Sequence, residues 1–152
     1  MPTLQLKPSP IQLLSQDVLG VRLDATVDQD EFGGSQLSVE RETHPIKDQP
    51  DCWALKLRIK FDAADSTHPP EYLGEIELIG YYRVHKHYKQ DPEKLIRITG
   101  ASMLYGVARE MISSITARSA NGMLTLPSVS FFEESPKKKA AKKATKKKTA
   151  KI

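Results

Sequence analysis

The clearest constraint on the fold is an alternation of apolar and polar residues over positions 53–61. Every second side chain there is large and apolar, and these side chains are Trp53, Leu55, Leu57, Ile59 and Phe61. The positions between them hold one alanine and basic residues. Successive side chains of a strand point to opposite faces, so this period predicts a strand in an antiparallel sheet with one buried face and one face in water.

Three further strands are predicted around this one. The first begins at Ile11, and the second contains Leu37 and Val39. Residues 28–35 between them, with paired glycines at their centre, form a turn or a longer crossover loop. The fourth strand covers residues 72–84 and has two unlike faces. Its apolar face includes Gly74, Ile76 and Leu78, and its acidic face includes Leu73, Glu75 and Glu77.

An amphipathic helix follows the strands. Four apolar residues recur at spacings of four, three and four positions, namely Leu104, Ala108, Met111 and Ile115. The helical region is predicted to start at Asp91, with Pro92 in its first turn. Gly100 and Gly106 are expected to separate a short first turn from the main helix. Gly122 ends the region in a turn with positive φ.

An apolar run over residues 123–131 comes after the helix. Pro127 prevents this run from being helical, so it is predicted to be extended. A plain core helix followed by a proline-containing loop also fits these residues. Because the strands come first and the helix last, the predicted fold is α+β, a four-stranded antiparallel sheet followed by a long helix, and not a parallel βαβ fold.

Charge divides the chain into two parts. The 152 residues carry a net charge of +4, yet residues 137–152 hold nine lysines and no acid. Without them, 14 Lys and Arg stand against 19 Asp and Glu, a net charge of −5. We therefore predict a flexible lead-in over residues 1–10, one domain over residues 11–132, and a disordered Lys-rich tail over residues 133–152.

Several functional classes lack support in the sequence. No constellation of nucleophile, base and metal ligands is recognisable, so we predict neither an enzyme nor a cofactor or metal. His85 and His87 are interpreted as surface histidines, and Cys52, the single cysteine, as a structural thiol. No apolar run is long enough to span a membrane, and the first residues do not resemble a signal peptide, which predicts a cytoplasmic protein without membrane insertion.

The Lys-rich tail predicts binding to polyanions. Its lysines are Lys137, Lys138, Lys139, Lys142, Lys143, Lys146, Lys147, Lys148 and Lys151. Lysines on a chain of this kind bind phosphates by releasing counterions, without sequence preference. The candidate partners are nucleic acid, an acidic protein surface and the acidic body of the chain itself. A purely solubilising extension is the alternative.

The helix and the run after it resemble the end of the SecB export-chaperone family. The matching residues are Ala108, Arg109, Glu110, Arg118, Leu124, Leu126, Val129 and Phe131. The resemblance extends over about residues 11–131. The family's second helix has no counterpart in this sequence, which continues instead into the Lys-rich tail.

This resemblance implies an ATP-independent holdase, a chaperone that binds non-native polypeptides without nucleotide. Such a protein serves protein export or protects a specific labile client such as an antitoxin. Residues that fall in regions resembling the family's peptide groove are Phe32, Leu37, Val39 and Trp53. Each of them is also compatible with an ordinary core position.

The resemblance further implies partners for the fourth strand. Positions matching Asp17, Leu73 and Glu75 dock the motor ATPase of the secretion machinery in the family, although another acidic position of that surface falls on Val21. The face with Gly74, Ile76 and Leu78 is expected to support a homodimer or homotetramer. Two other functions remain open, a nucleic-acid-associated accessory protein acting through the tail and an oligomeric adaptor without a peptide groove.

Overall fold

Four antiparallel strands form a single sheet in the computed structural model, which describes residues 2–132. The strands are β1 (Ile11–Ala25), β2 (Ser35–Pro45), β3 (Cys52–Ala63) and β4 (Tyr72–Val84), in the spatial order β1-β4-β3-β2. β1 and β2 follow each other in the chain but lie at opposite edges, so residues 26–34 cross from one edge to the other. The predicted α+β fold, a four-stranded antiparallel sheet followed by a helix, is confirmed.

β1 is longer and less regular than its sequence pattern indicates. Its register against β4 shifts between Leu13 and Ser15 and again between Val18 and Gly20. Each shift inserts an extra residue into one strand and exchanges the faces to which the following side chains point. This is why alternation is visible only in the last part of the strand.

The helical region is continuous from Pro92 to Thr116. It consists of α1 (Pro92–Leu95), one π-helical turn (Ile96–Gly100) and α2 (Ala101–Thr116). The predicted start is confirmed, because the Asp91 carboxylate accepts hydrogen bonds from the backbone N–H groups of Glu93 and Lys94. The predicted break at Gly106 is wrong. Gly106 lies inside α2, where a single glycine lowers helix stability without ending the helix.

The core lies between the helical region and one face of the sheet. Fully buried side chains come from both layers and include Leu55, Leu57, Ile59, Ile76, Leu78, Ile96, Leu104 and Ile112. The Tyr82 hydroxyl donates to the Gly100 carbonyl oxygen at 2.7 Å and links the sheet to the start of α2. Within residues 2–132, no helix is long and apolar enough to cross a membrane.

The expected subunit-interface face of β4 is part of this core. Ile76 and Leu78 are 0 % exposed within a single chain, under the helical region. A Cβ atom on Gly74 would lie 2.3 Å from the Arg22 carbonyl oxygen and 2.7 Å from the Phe61 ring. The prediction that Gly74, Ile76 and Leu78 contact a second subunit is therefore corrected. The apolar face was identified correctly, but the chain's own helix covers it.

Candidate functional site

An extended segment after α2, residues 123–132, lies along the helix, and we call it the strap. It carries no regular secondary structure. Three side chains of α2 donate to its backbone carbonyl oxygens: Ser113 Oγ to Leu124 at 3.1 Å, Arg109 Nε to Leu126 at 3.0 Å, and Tyr105 Oη to Pro127 at 2.5 Å. The donors are spaced by four residues and therefore lie on one side of the helix. The strap runs antiparallel to α2.

The strap buries side chains in alternation. Leu126 and Phe131 are 3 % and 7 % exposed, and Leu124 and Val129 pack half-buried against the same core. The remaining strap residues are exposed. The strap therefore inserts four apolar side chains beside the helix, and its other residues, among them Met123 and Phe132, face solvent.

Both ends of the strap are fixed by polar contacts. At the start, the Leu124 N–H donates to the buried Thr116 hydroxyl at 2.7 Å, and Gly122 has φ of +78°, which confirms the predicted turn. At the other end, Arg41 Nη1 lies 3.4 Å from the Phe131 carbonyl oxygen, and its guanidinium lies 5.3 Å from the centre of the Phe131 ring. Arg41 is paired with Leu57, so it is on the core side of β2. The strap thus reaches from the end of α2 to β2.

The four predicted peptide-binding residues do not form one site. Leu37 and Val39 are paired with Phe61 and Ile59, so they are neighbours on the helix side of the sheet, where they are half-buried against the core. Trp53 is half-buried on the same side, but eight residues along β3 from Phe61, about 26 Å at the rise of a strand.

Phe32, the fourth of these residues, lies in the crossover loop and is 39 % exposed. It precedes β2, in which Leu37 and Val39 lie. The structure therefore brings Leu37 and Val39 together and places Trp53 at a distance from them. The peptide-binding role of all four stays a prediction.

Exposed apolar side chains lie along β1. The sequence pattern did not predict them as binding residues. We call Leu14, Val18, Leu19 and Val21 the β1 strip; they are 46 %, 46 %, 52 % and 41 % exposed. Val18 and Val21 are paired with Leu78 and Ile76 and so point to the helix side, yet they remain uncovered. Leu14 and Leu19 lie at the two register shifts. The shifts disturb the alternation, and for this reason the sequence pattern did not reveal the strip.

The flank of α2 opposite to the strap is also apolar. Met103 and Ile115 are 38 % and 43 % exposed, and Val107 and Met111 between them are half-buried. These four residues are spaced by four and lie in one row of the helix. The helix side of the sheet therefore carries two kinds of apolar surface, one covered by the strap and one open.

The outer face of the sheet is charged, and several of its charges form ion pairs between β3 and β4. Arg58 Nη2 lies 2.8 Å from Glu77 Oε2, Arg58 Nε lies 3.1 Å from Glu75 Oε1, and Lys56 Nζ lies 3.1 Å from Glu77 Oε1. Hydrogen bonds from Arg58 and Lys56 hold the pKa of Glu77 below its ordinary value. The acidic stripe predicted on β4 is therefore matched by a basic stripe on β3.

The predicted docking residues for a motor ATPase share this outer face. In the strand register, Glu75 lies opposite Arg22 of β1 and Lys60 of β3, and Leu73 lies opposite Asp24 of β1. Asp17 is paired with Ile79, four residues along β4 from Glu75, which corresponds to about 13 Å. The docking role of Asp17, Leu73 and Glu75 stays a prediction.

Other chemistry-bearing residues are dispersed. Within residues 2–132, no group of three or more His, Cys, Asp or Glu residues is arranged to hold a metal ion. The rings of His85 and His87 lie 4.9 Å apart at the exposed end of β4, and Cys52 is 3 % exposed. The lysines predicted to bind polyanions, in the tail over residues 133–152, lie outside the described residues.

Comparison of the sequence with protein-family models and with curated proteins finds no match. Among solved structures, a SecB-like chaperone from Mycobacterium tuberculosis in complex with a peptide from an antitoxin is similar, with a TM-score of 0.59 and 15 % identity over 80 % of this chain and 91 % of that one. A protein of unknown function from Streptococcus agalactiae is similar with a TM-score of 0.50 and 10 % identity over 77 % of this chain and 96 % of that one. The chain therefore has a SecB-like fold.

Proposed function

We propose that this protein is an ATP-independent chaperone that holds non-native polypeptides. The observation that carries the proposal is the exposed apolar surface formed by the β1 strip, of which Val18 and Val21 point to the helix side, and by the flank of α2 with Met103 and Ile115. Soluble chains normally keep contiguous apolar surface small, and a larger exposed area marks a site of interaction. Non-native chains expose the complementary apolar segments.

The fold supports the same proposal. The SecB-like chaperone from Mycobacterium tuberculosis was solved in complex with an antitoxin peptide, so a protein of similar fold binds a polypeptide. In the present chain, several weak apolar contacts would give a client useful avidity without sequence specificity. We extend the proposal to the finer roles that the resemblance implies. These are a cytoplasmic homo-oligomer, dimeric or tetrameric, that delivers clients for export or protects one labile client.

The test is suppression of aggregation. The protein is mixed at stoichiometric ratio with chemically denatured clients, without nucleotide, and light scattering is followed. We expect protection, and we expect the double substitution Val18→Ser with Val21→Ser to weaken it. The matched control, Leu4→Ser with Leu6→Ser, changes exposed apolar residues outside the strip, which are 80 % and 82 % exposed. Absence of protection for three unrelated clients at several-fold excess would contradict the proposal.

Docking of an export motor ATPase is a separate part of the proposal. It rests on Asp17, Leu73 and Glu75, which share the outer face of the sheet. Glu75 already forms an ion pair with Arg58, so a basic group of the partner would have to replace Arg58 at the Glu75 carboxylate. We expect binding to purified motor ATPase to weaken when Asp17→Asn is combined with Glu75→Gln, and client protection to be unchanged. Unchanged motor binding would remove the docking role.

A second candidate function follows from the nine lysines of residues 137–152. We propose that this tail binds polyanions such as RNA. Its affinity should then fall linearly with salt on logarithmic axes, because each contact releases counterions. Equal RNA binding by the full chain and by a chain ending at Ser135 would defeat this role.

A further inference from the structure

We propose that the groove between α2 and β2 is a binding site for extended polypeptide segments, and that the strap is its internal occupant, which a client displaces. The inference rests on the proposed chaperone function and names the segments that this site accepts. The groove is bounded by Ser113, Arg109 and Tyr105 on the helix and by Arg41 on β2.

The polar contacts of the groove recognise backbone and not side chains. Ser113, Arg109 and Tyr105 all donate to carbonyl oxygens of the strap. A tyrosine hydroxyl is protonated at neutral pH and can donate, and burial raises the pKa of Tyr105 further. Every extended polypeptide presents carbonyl oxygens of this kind, whatever its sequence. The groove is therefore suited to many segments.

The apolar contacts define the class of segment. Leu124 and Leu126 are two residues apart, as are Val129 and Phe131. Leu126 and Phe131 enter the core, Leu124 and Val129 pack against it, and their neighbours face solvent. An extended chain directs alternate side chains to one side, so each pair lies on the same side of the strap. The groove should accept segments with two such apolar pairs separated by two residues, the spacing in the strap itself.

The strap is attached in a way that permits exchange. Among the described residues, no backbone–backbone hydrogen bond joins residues 123–132 to the sheet or to the helix. Side chains hold it instead, so its release breaks no strand pairing and leaves the helical hydrogen bonds of α2 intact. Gly122, with φ of +78°, provides the point at which the strap leaves the end of the helical region. A segment with the same apolar spacing can take over all the contacts that the strap gives up.

The experiment measures competition between the strap and a free peptide. The probe is a fluorescein-labelled peptide with the sequence of residues 123–132, titrated with the full chain. Leu126→Ala and Val129→Ala weaken the internal occupant without changing the groove, so both variants should bind the probe about tenfold more tightly than the unmodified chain. Thr125→Ala, an exposed strap position, is the matched control and should bind the probe as the unmodified chain does.

A second measurement follows the strap directly in the unmodified chain. Addition of a denatured client should increase the hydrogen-exchange rate of the backbone amides of residues 123–132, whereas residues 104–112 of α2 keep their protection. Leu126 is a core residue, so Val129→Ala, at a half-buried position, provides the test if Leu126→Ala does not fold. Unchanged probe affinity in a folded strap variant, or unchanged strap exchange with bound client, would overturn the inference.

The outcomes separate this inference from the chaperone proposal. A chain that protects clients from aggregation but shows no strap release is a chaperone whose strap is a fixed part of the core. A chain that does not protect clients at all removes the chaperone proposal itself. The strap inference stands only if client protection and tighter probe binding by the strap variants occur together.

Discussion

Arg58 contacts the carboxylate of Glu77 through two nitrogen atoms, with Nη2 at 2.8 Å and Nε at 2.9 Å from Oε2. These contacts, together with Lys56, lower the pKa of Glu77 from its ordinary value of 4.5. A carboxylate with a lowered pKa in the folded state stabilises the fold when it is ionised. The contribution is present above the ordinary pKa and is lost as the pH falls through the lowered value.

We therefore expect Glu77→Gln to lower the free energy of unfolding at neutral pH and to reduce its dependence on pH below 4.5. Urea unfolding of both proteins between neutral and acidic pH measures this difference. The two curves should converge at the acidic end, where Glu77 of the unmodified chain is protonated. The matched control is Glu110→Gln, at an exposed position of α2. A constant difference at all pH values would show that charge is not the cause.

Two glycines should respond in opposite directions to the same substitution. Gly74→Ala places a Cβ atom 2.3 Å from the Arg22 carbonyl oxygen and 2.7 Å from the Phe61 ring, so we expect the free energy of unfolding to fall by about 1–3 kcal/mol. Gly106→Ala meets nothing within 4 Å inside α2 and should raise it by about 0.5–1 kcal/mol. Thermal unfolding followed by circular dichroism measures both. A loss of stability in Gly106→Ala would contradict the assignment of this residue to an open helix position.

The burial of Ile76 changes the expected effect of a charge at this position. At a subunit interface, Ile76→Lys would dissociate an oligomer into folded chains. In the core, where Ile76 is 0 % exposed, it buries an unpaired charge and should abolish cooperative unfolding. Size-exclusion chromatography combined with circular dichroism distinguishes the two results. If the Ile76→Lys variant is folded and elutes as a smaller particle than the unmodified protein, the original prediction of a subunit interface on this face is restored.

Removal of the tail tests the division of the chain by charge. A chain that ends at Ser135 loses nine lysines, and its net charge changes from +4 to −5. We expect the shortened chain to pass through a polyanion column at neutral pH that retains the full chain. The free energy of unfolding should stay within about 0.5 kcal/mol, because a segment of this Lys-rich composition has little apolar surface to bury. Retention of the shortened chain would locate the polyanion site on the domain.

Some elements could be predicted from the sequence because one local rule determines them. The alternation from Trp53 to Phe61 predicted β3, since a half-buried strand requires a period of two. Asp91 followed by Pro92 predicted the helix start, since the cap uses groups within one turn. The full length of the second strand could not be predicted, because on its helix side only Leu37 and Val39 are apolar before Arg41 follows.

Other features depend on contacts between distant residues and could not be predicted. The register shifts of β1 exist only in relation to β4, so Leu14 and Leu19 gave no signal of exposure. The strap is fixed by hydrogen bonds from helix side chains to its backbone, which leave no pattern in its own sequence. The apolar face of β4 was recognised, but no local rule states whether a helix of the same chain or a second subunit covers it.

The two register shifts of β1 also bear on how an apolar sheet edge stays in solution. A long, flat edge strand is a template onto which further strands add, and this is how sheets grow into fibrils. β1 is a 15-residue edge strand with four exposed apolar side chains in the β1 strip, so it has the composition of such a template. The shifts interrupt the row of backbone donors and acceptors and increase the local twist. An incoming strand cannot stay in register with β1 over its whole length. The edge can therefore keep its apolar side chains exposed without adding further strands.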